Sequence, residues 1–202
     1  MASSAVSKQS HCHSLVILAA LALFCAAKIC LAEKFKPQSE SGDDFIKTSC
    51  GVTRYPDLCY KTLSAYADTI QDNPTQLANA SLSETLKNAE STLNMMQKLL
   101  QMRELRPREA GAIKDCVETM KESVDELQKS MLAMRDLEGP DFRMEMSNIQ
   151  TWVSAALPDE DTCMDGFQGK AINGNVKDTI RIYIVKGSQL TSIALALINR
   201  IQ

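Results

Sequence analysis

Four carboxylates, Asp115, Glu118, Glu122 and Asp125, follow one another at steps of three, four and three residues. On a helix that spacing gathers them on one face, beside an apolar stripe. Such a face is either a solvated surface or a ridge that meets a cationic partner. The other reactive side chains are sulfur. Cys50, Cys59, Cys116 and Cys163 form an even set once an N-terminal leader is removed, which predicts two disulfides in an oxidising compartment. Four cysteines allow three pairings, and proximity in the chain ranks Cys50–Cys59 with Cys116–Cys163 first. Closing those loops contributes roughly 3 and 4 kcal/mol in the chain-entropy model.

Much chemistry is excluded. Both histidines, His11 and His13, lie in the leader, so the remaining chain has no imidazole to serve as a general base or metal ligand. No Gly-x-Ser-x-Gly turn is present to carry a serine nucleophile. The stretch from Asp161 to Gly166 glances at a calcium loop, but Cys163 stands at its third ligand position and Ile172 at its twelfth, where a glutamate is needed. Met96, Met120, Met131, Met134 and Met146 fall on apolar stripes and are expected in the core rather than around a metal. These features predict no enzyme activity, no metal and no cofactor. A formal charge of -3 without a basic cluster argues against nucleic acid as a partner.

Residues 1–32 have the form of a secretory signal: Lys8, an apolar run from Leu15 to Ala27, then small residues up to Ala32, with cleavage expected before Glu33. About a dozen apolar residues precede Lys28, short of the roughly 20 that span a bilayer, so no membrane anchor is expected. The expected mature chain, 33–202, carries 20 basic and 25 acidic residues, a charge of -5. Asn79-Ala80-Ser81 is its usable glycosylation sequon, since Pro74 blocks the one at Asn73. Asn79 is expected exposed, just ahead of a helix.

The elements that must position these residues are helices throughout. Ile113, Val117, Met120, Val124, Leu127, Met131 and Met134 keep one stripe apolar for about five turns. Phe142, Met146, Ile149, Val153 and Ala156 mark another, and Leu86, Ala89, Leu93, Met96 and Leu100 a third, with Ser81 and Glu84 read as its capping box. A last series runs Val176, Ile180, Tyr183, Gly187, Leu190, Ala194, Leu197 and Ile201. Pro107, Gly139-Pro140 and Pro158 punctuate them. The predicted helices are 82–104, 108–136, 141–157 and 171–201. Together they form an all-α, up-down four-helix bundle over 82–201, preceded by a helical hairpin over 43–80.

The strings Phe45-Ile46-x-x-Ser49-Cys50, Thr53-x-Tyr55-Pro56-x-Leu58-Cys59, Asp115-Cys116, Val124-x-x-Leu127, Thr151-Trp152-Val153-Ser154-Ala155-Ala156-Leu157 and Asp161-Thr162-Cys163-x-Asp165-Gly166-Phe167 resemble the plant invertase and pectin methylesterase inhibitor family. The resemblance covers roughly residues 45–201. It implies the bundle with its hairpin, the 50–59 and 116–163 disulfides, and a secreted, monomeric inhibitor of the plant cell wall that acts by noncovalent stoichiometric binding.

Members of that family split by target. Some cover the pectin-binding cleft of pectin methylesterase, and others block cell-wall or vacuolar invertase. Some invertase inhibitors place Pro-Lys-Phe between the second and third bundle helices, where this chain reads Pro140-Asp141-Phe142. The reversed charge disfavours a carboxylate-lined invertase site. Together with the Thr-Trp-Val-Ser-Ala-Ala-Leu string, it favours pectin methylesterase as the partner. The resemblance puts Glu118, Glu122 and Asp125 of the second bundle helix, with Ser147, Gln150 and Trp152 of the third, at the interface. On composition alone Trp152 reads first as a core residue. Thr162 is expected to tie its loop to the bundle. A helical bundle that holds a small ligand in its core is the alternative from another class.

Overall fold

A computed structural model describes residues 42–201 apart from 103, 138, 158–159 and 169–173. The expected signal, its cleavage point and Pro158 lie outside the described residues. The chain opens with α1 (Gly42–Cys50), whose first turn carries Asp43 and Asp44 against the positive end of the helix dipole. Thr53 donates its hydroxyl to the Cys50 carbonyl at 2.8 Å and closes the turn. Pro56 then starts α2 (Pro56–Leu63), where its missing N–H costs nothing. The Cys50–Cys59 disulfide joins the two helices with their Cα atoms 5.5 Å apart, and Tyr60 donates to both Asp43 carboxylate oxygens at 2.9 and 3.0 Å. A 3₁₀ turn over Ser64–Tyr66 and the short α3 (Ala67–Ile70) complete this N-terminal unit, which ends at Gln71 with φ at +52°.

The first long helix begins eight residues before the expected position. It is α4 (Pro74–Leu100), and its cap is Asn73, whose Oδ1 accepts from the N–H groups of Thr75 and Gln76 at 2.9 and 3.1 Å. Pro74 at the first helical position completes the start signal. Ser81 and Glu84, expected to form the capping box, stand inside the helix. Ser81 is buried. The N-terminal hairpin therefore ends near residue 73, not 80. The reason is local: Asn-Pro stops the preceding chain and starts the next helix in one step, and the polar stretch behind it is compatible with helix.

The other long helices are α5 (Pro107–Ala133), α6 (Phe142–Ala155) and α8 (Gly174–Ile198), with the short α7 (Glu160–Asp165) between the last two. A one-sided cap opens α5. Glu109, 2% exposed, accepts from the Arg106 backbone N–H at 2.9 Å and from its guanidinium at 2.6 Å. Gly139, at φ +118°, lets the chain turn between α5 and α6. α4 packs on α5 and α8, α5 on α6, and α6 on α8, so the four long helices close into a ring. This is the all-α up-down bundle with an N-terminal helical extension and two disulfides.

The stripe expected on α5 is buried, with Met131 at its margin. In α8 the buried row turns through Ile180, Ile184, Leu190, Ile193, Ala194, Leu197 and Ile198, while Tyr183, expected on it, is exposed. The core is also more hydroxylated than the apolar series predict. Thr85, Thr92, Ser123, Ser130 and Thr191 are buried, and each donates to the carbonyl four residues back at 2.8 to 3.2 Å. These bonds satisfy the hydroxyls inside an apolar interior. Met96, Ile113, Leu127, Ile149, Phe167 and Ile184 fill the interior, which weakens the alternative of a ligand held there.

One ionisable cluster staples the extension to the bundle. Glu84 on α4 accepts from Tyr66 and from Lys87, the latter at 2.7 Å, and the Lys87 ammonium lies 5.9 Å from the Tyr66 ring centre. Partial burial pushes the Glu84 carboxyl up, but the hydrogen bonds from Lys87 and Tyr66 outweigh it and hold the group below its ordinary value of 4.5. A carboxyl lowered in the folded state adds stability that is present above its unfolded value and lost as pH falls through the folded one. The Tm should therefore drop on acidification below about pH 4.5, and more shallowly in Glu84→Gln. Parallel melts from pH 6 to pH 3 check this; identical slopes would remove Glu84 from the acid response.

Candidate functional site

The acidic series lies where its spacing requires. Cys116, Val117, Met120 and Val124 turn one side of α5 into the core, and Asp115, Glu118, Glu122 and Asp125 are all exposed. Lys121 approaches Glu118 at 3.3 Å with both side chains about half exposed, a pair of little energetic weight. Lys114 and Lys121 leave the ridge with an excess of negative charge. Among the described residues no group of three or more His, Cys, Asp or Glu side chains could hold a metal ion. No described helix is long and apolar enough to cross a membrane.

The second disulfide fixes what stands beside that ridge. Cys116 lies next to Asp115 and pairs with Cys163, with Cα atoms 4.8 Å apart and both residues buried. It clamps α7 against α5. Phe167 is fully buried immediately beyond α7. At Gly166 a Cβ would meet the Ala112 Cβ at 3.1 Å, so the absence of a side chain there permits the close approach. Thr162 is exposed on α7, and Asp165 beside it accepts from the Gln168 amide at 2.7 Å.

On α6 the expected contact set divides. Met146, Ile149 and Val153 are buried, Ser147 is exposed and Gln150, three residues on, is half-buried on the same side. Trp152 follows Gln150 by two residues, about 200° around the helix, and so faces elsewhere. Trp152 is also not in the core. It is half-buried in a groove of about 490 Å³ with Lys129, Leu132, Ala133, Asp136, Pro140, Asp141 and Glu145. Its indole is large and amphipathic, and the α5–α6 turn leaves one side of it uncovered. Trp152 and Asp141 thus share a surface that the sequence reading treated as two separate matters. Leu132, 60% exposed, lines the same groove, and Met144, 57% exposed, is a second large apolar residue left open on α6. The signal was available: Leu132 and Met144 are large apolar residues off the stripes of their helices.

Asn79 lies inside α4 rather than ahead of it. It is half-buried in a groove with Asn73, Gln76, Arg135 and Phe142, and its Oδ1 is covered and has no hydrogen-bond partner. The expected exposure fails because the helix starts at Pro74, which winds the sequon into its second turn. A glycan would require this side chain to swing out of the groove.

A "21 kDa protein" of Daucus carota is 45% identical over 160 residues, covering 78% of this chain and 83% of its own. "Pectinesterase inhibitor 9" of Arabidopsis thaliana is 45% identical over 170 residues, covering 81% and 83%. A crystal structure of mutant form A of a pectin methylesterase inhibitor from Arabidopsis has the same fold, with a TM-score of 0.62 at 23% identity over 78% of this chain and 97% of that one. The model of one family, plant invertase/pectin methylesterase inhibitor, matches residues 44–197, and to that family this chain belongs.

Proposed function

We propose that the protein is a secreted inhibitor of plant pectin methylesterase that forms a noncovalent one-to-one complex and covers the pectin-binding cleft. The observation that carries this reading is the 45% identity over 170 residues to a named pectinesterase inhibitor. The contact surface we propose is the acidic ridge, Glu118, Glu122 and Asp125, with Ser147 and Gln150 of α6. An enzyme cleft that takes a polyanion is cationic along part of its length, and an exposed row of carboxylates competes for that potential. Trp152 would engage the partner through the groove at the α5–α6 turn, whose Lys129 stands one turn beyond Asp125 on α5.

Invertase is the second target open to this family. Asp141 speaks against it, because with Asp136 and Glu145 it makes the turn groove predominantly acidic, with Lys129 the one cation among the described residues that line it. Such a surface repels a carboxylate-lined active site. The test is a parallel titration of the oxidised mature protein against a plant pectin methylesterase and a plant cell-wall invertase, following methyl-ester release and sucrose cleavage. Loss of esterase activity near equimolar ratio with invertase untouched is the expected result. Invertase inhibition alone would overturn the assignment.

A further inference from the structure

Positive charge gathers in a groove built from three elements. Lys61 of α2, Lys87 of α4 and Lys186 of α8 line a single open groove of about 520 Å³, and among the described residues the only carboxylate lining it is Glu84. The three lysines come from three different elements, are separated widely in the chain, and are all exposed. Glu84 is already committed, since it accepts from Tyr66 and Lys87. The groove is therefore a net cationic site on an acidic protein. Its volume falls within the roughly 300–1,000 Å³ typical of small-molecule clefts.

The remaining lining narrows the ligand. Leu58 and Leu190 supply apolar wall, and Thr62, Asn88 and Ser91 supply polar groups. Asn88 is half-buried, and its Oδ1 is covered and has no hydrogen-bond partner. A buried acceptor left unpaired costs free energy, and the terminal amide torsion is soft enough to turn that oxygen toward the groove. A ligand that satisfies all of these groups carries carboxylates for the lysines, hydroxyl donors for Asn88, and a C–H face for the leucines. Phosphate supplies negative charge and a hydroxyl but no C–H face. A uronic acid sugar provides all three.

We propose that the groove between α2, α4 and α8 binds a uronic acid oligosaccharide, at a site separate from the surface that meets the esterase. The groove is carried by α2, α4 and α8 and the acidic ridge by α5, which has no substantial packing against α2 or α8. The two can be occupied together, and the sugar site does not depend on which enzyme is inhibited.

Calorimetric titration of the mature protein with trigalacturonate tests this, with the fully methyl-esterified trimer and inorganic phosphate as the other arms. Saturable binding of the acid trimer, absent for the ester, is expected. Lys61→Gln/Lys186→Gln should weaken it by about tenfold or more, with esterase inhibition unchanged. Lys87 is left in place because it holds Glu84. Equal binding of the ester, phosphate binding as tight as the trimer, or full affinity in the double variant would each overturn the proposal. So would loss of esterase inhibition in the double variant without any sugar binding by the parent, which would make the groove part of the protein interface.

Discussion

Replacing Cys116 and Cys163 together by alanine is expected to lower the Tm by roughly 8–16 °C, the equivalent of about 4 kcal/mol for a chain of this size. The cross-link spans 47 positions, so cutting it restores more freedom to the unfolded chain than cutting Cys50–Cys59, which spans 9. Alanine is preferred to serine because both sulfurs are buried, and a hydroxyl there would add its own unpaired cost. The matching Cys50→Ala/Cys59→Ala variant should lose less, about 3 kcal/mol. Thermal and denaturant melts of the two variants side by side give the comparison. A shift for the 116–163 variant below that of the 50–59 variant would mean that Phe167 and the Gly166–Ala112 approach already hold α7 on α5 without the bond. Because α7 is clamped one residue from Asp115, the same variant should also inhibit less well before it unfolds.

What the sequence disclosed and what it hid divide along physical lines. The α5 stripe, the two disulfides and the four-helix ring were legible because each rests on a strong local signal: long apolar periodicity, cysteine in an oxidising context, proline and glycine at the turns. The start of α4 was hidden because Ser81 and Glu84 imitate a capping box, and only the Asn73–Pro74 cap eight residues earlier decides the matter. The buried face of α4 was hidden too, since Ser81, Thr85 and Thr92 are polar by type, and Thr85 and Thr92 become core residues only once their hydroxyls bond the carbonyl one turn back. Tyr183 was misplaced because a three-residue step and a four-residue step are equally helical, and tertiary packing chose Ile184.

The candidate site was legible to the same degree. A single element carries its acidic ridge, so spacing along one helix was enough to find it. The surface around Trp152 and the cationic groove were not legible, because they join residues from separate elements. Trp152 meets Asp141 and Leu132 only where α5 and α6 turn, and Lys61, Lys87 and Lys186 meet only when α2 folds back on α4 and α8. The chain therefore divides its charge in space more sharply than its modest net charge suggests. Carboxylates stand on α5 and ammonium groups beside α8.

That separation makes the ridge testable by charge alone. Glu118→Lys/Glu122→Lys should raise the inhibition constant against pectin methylesterase by roughly 30-fold, about 2 kcal/mol, and flatten its dependence on salt. Both side chains are exposed, and the single ion pair lost is Lys121–Glu118, whose partners are both solvated, so the Tm should move by less than about 2 °C. Asp57→Lys/Glu104→Lys provides the control, since it changes net charge by the same amount at exposed positions on α2 and in the α4–α5 connection. If both double variants weaken inhibition equally, the effect belongs to overall charge and the ridge has no special place in the complex. If neither does, the ridge is a solvated helix face. The contact must then be sought in the groove that holds Trp152, where Trp152→Ala should cost more than any single carboxylate, because a half-buried indole gains further burial against a partner.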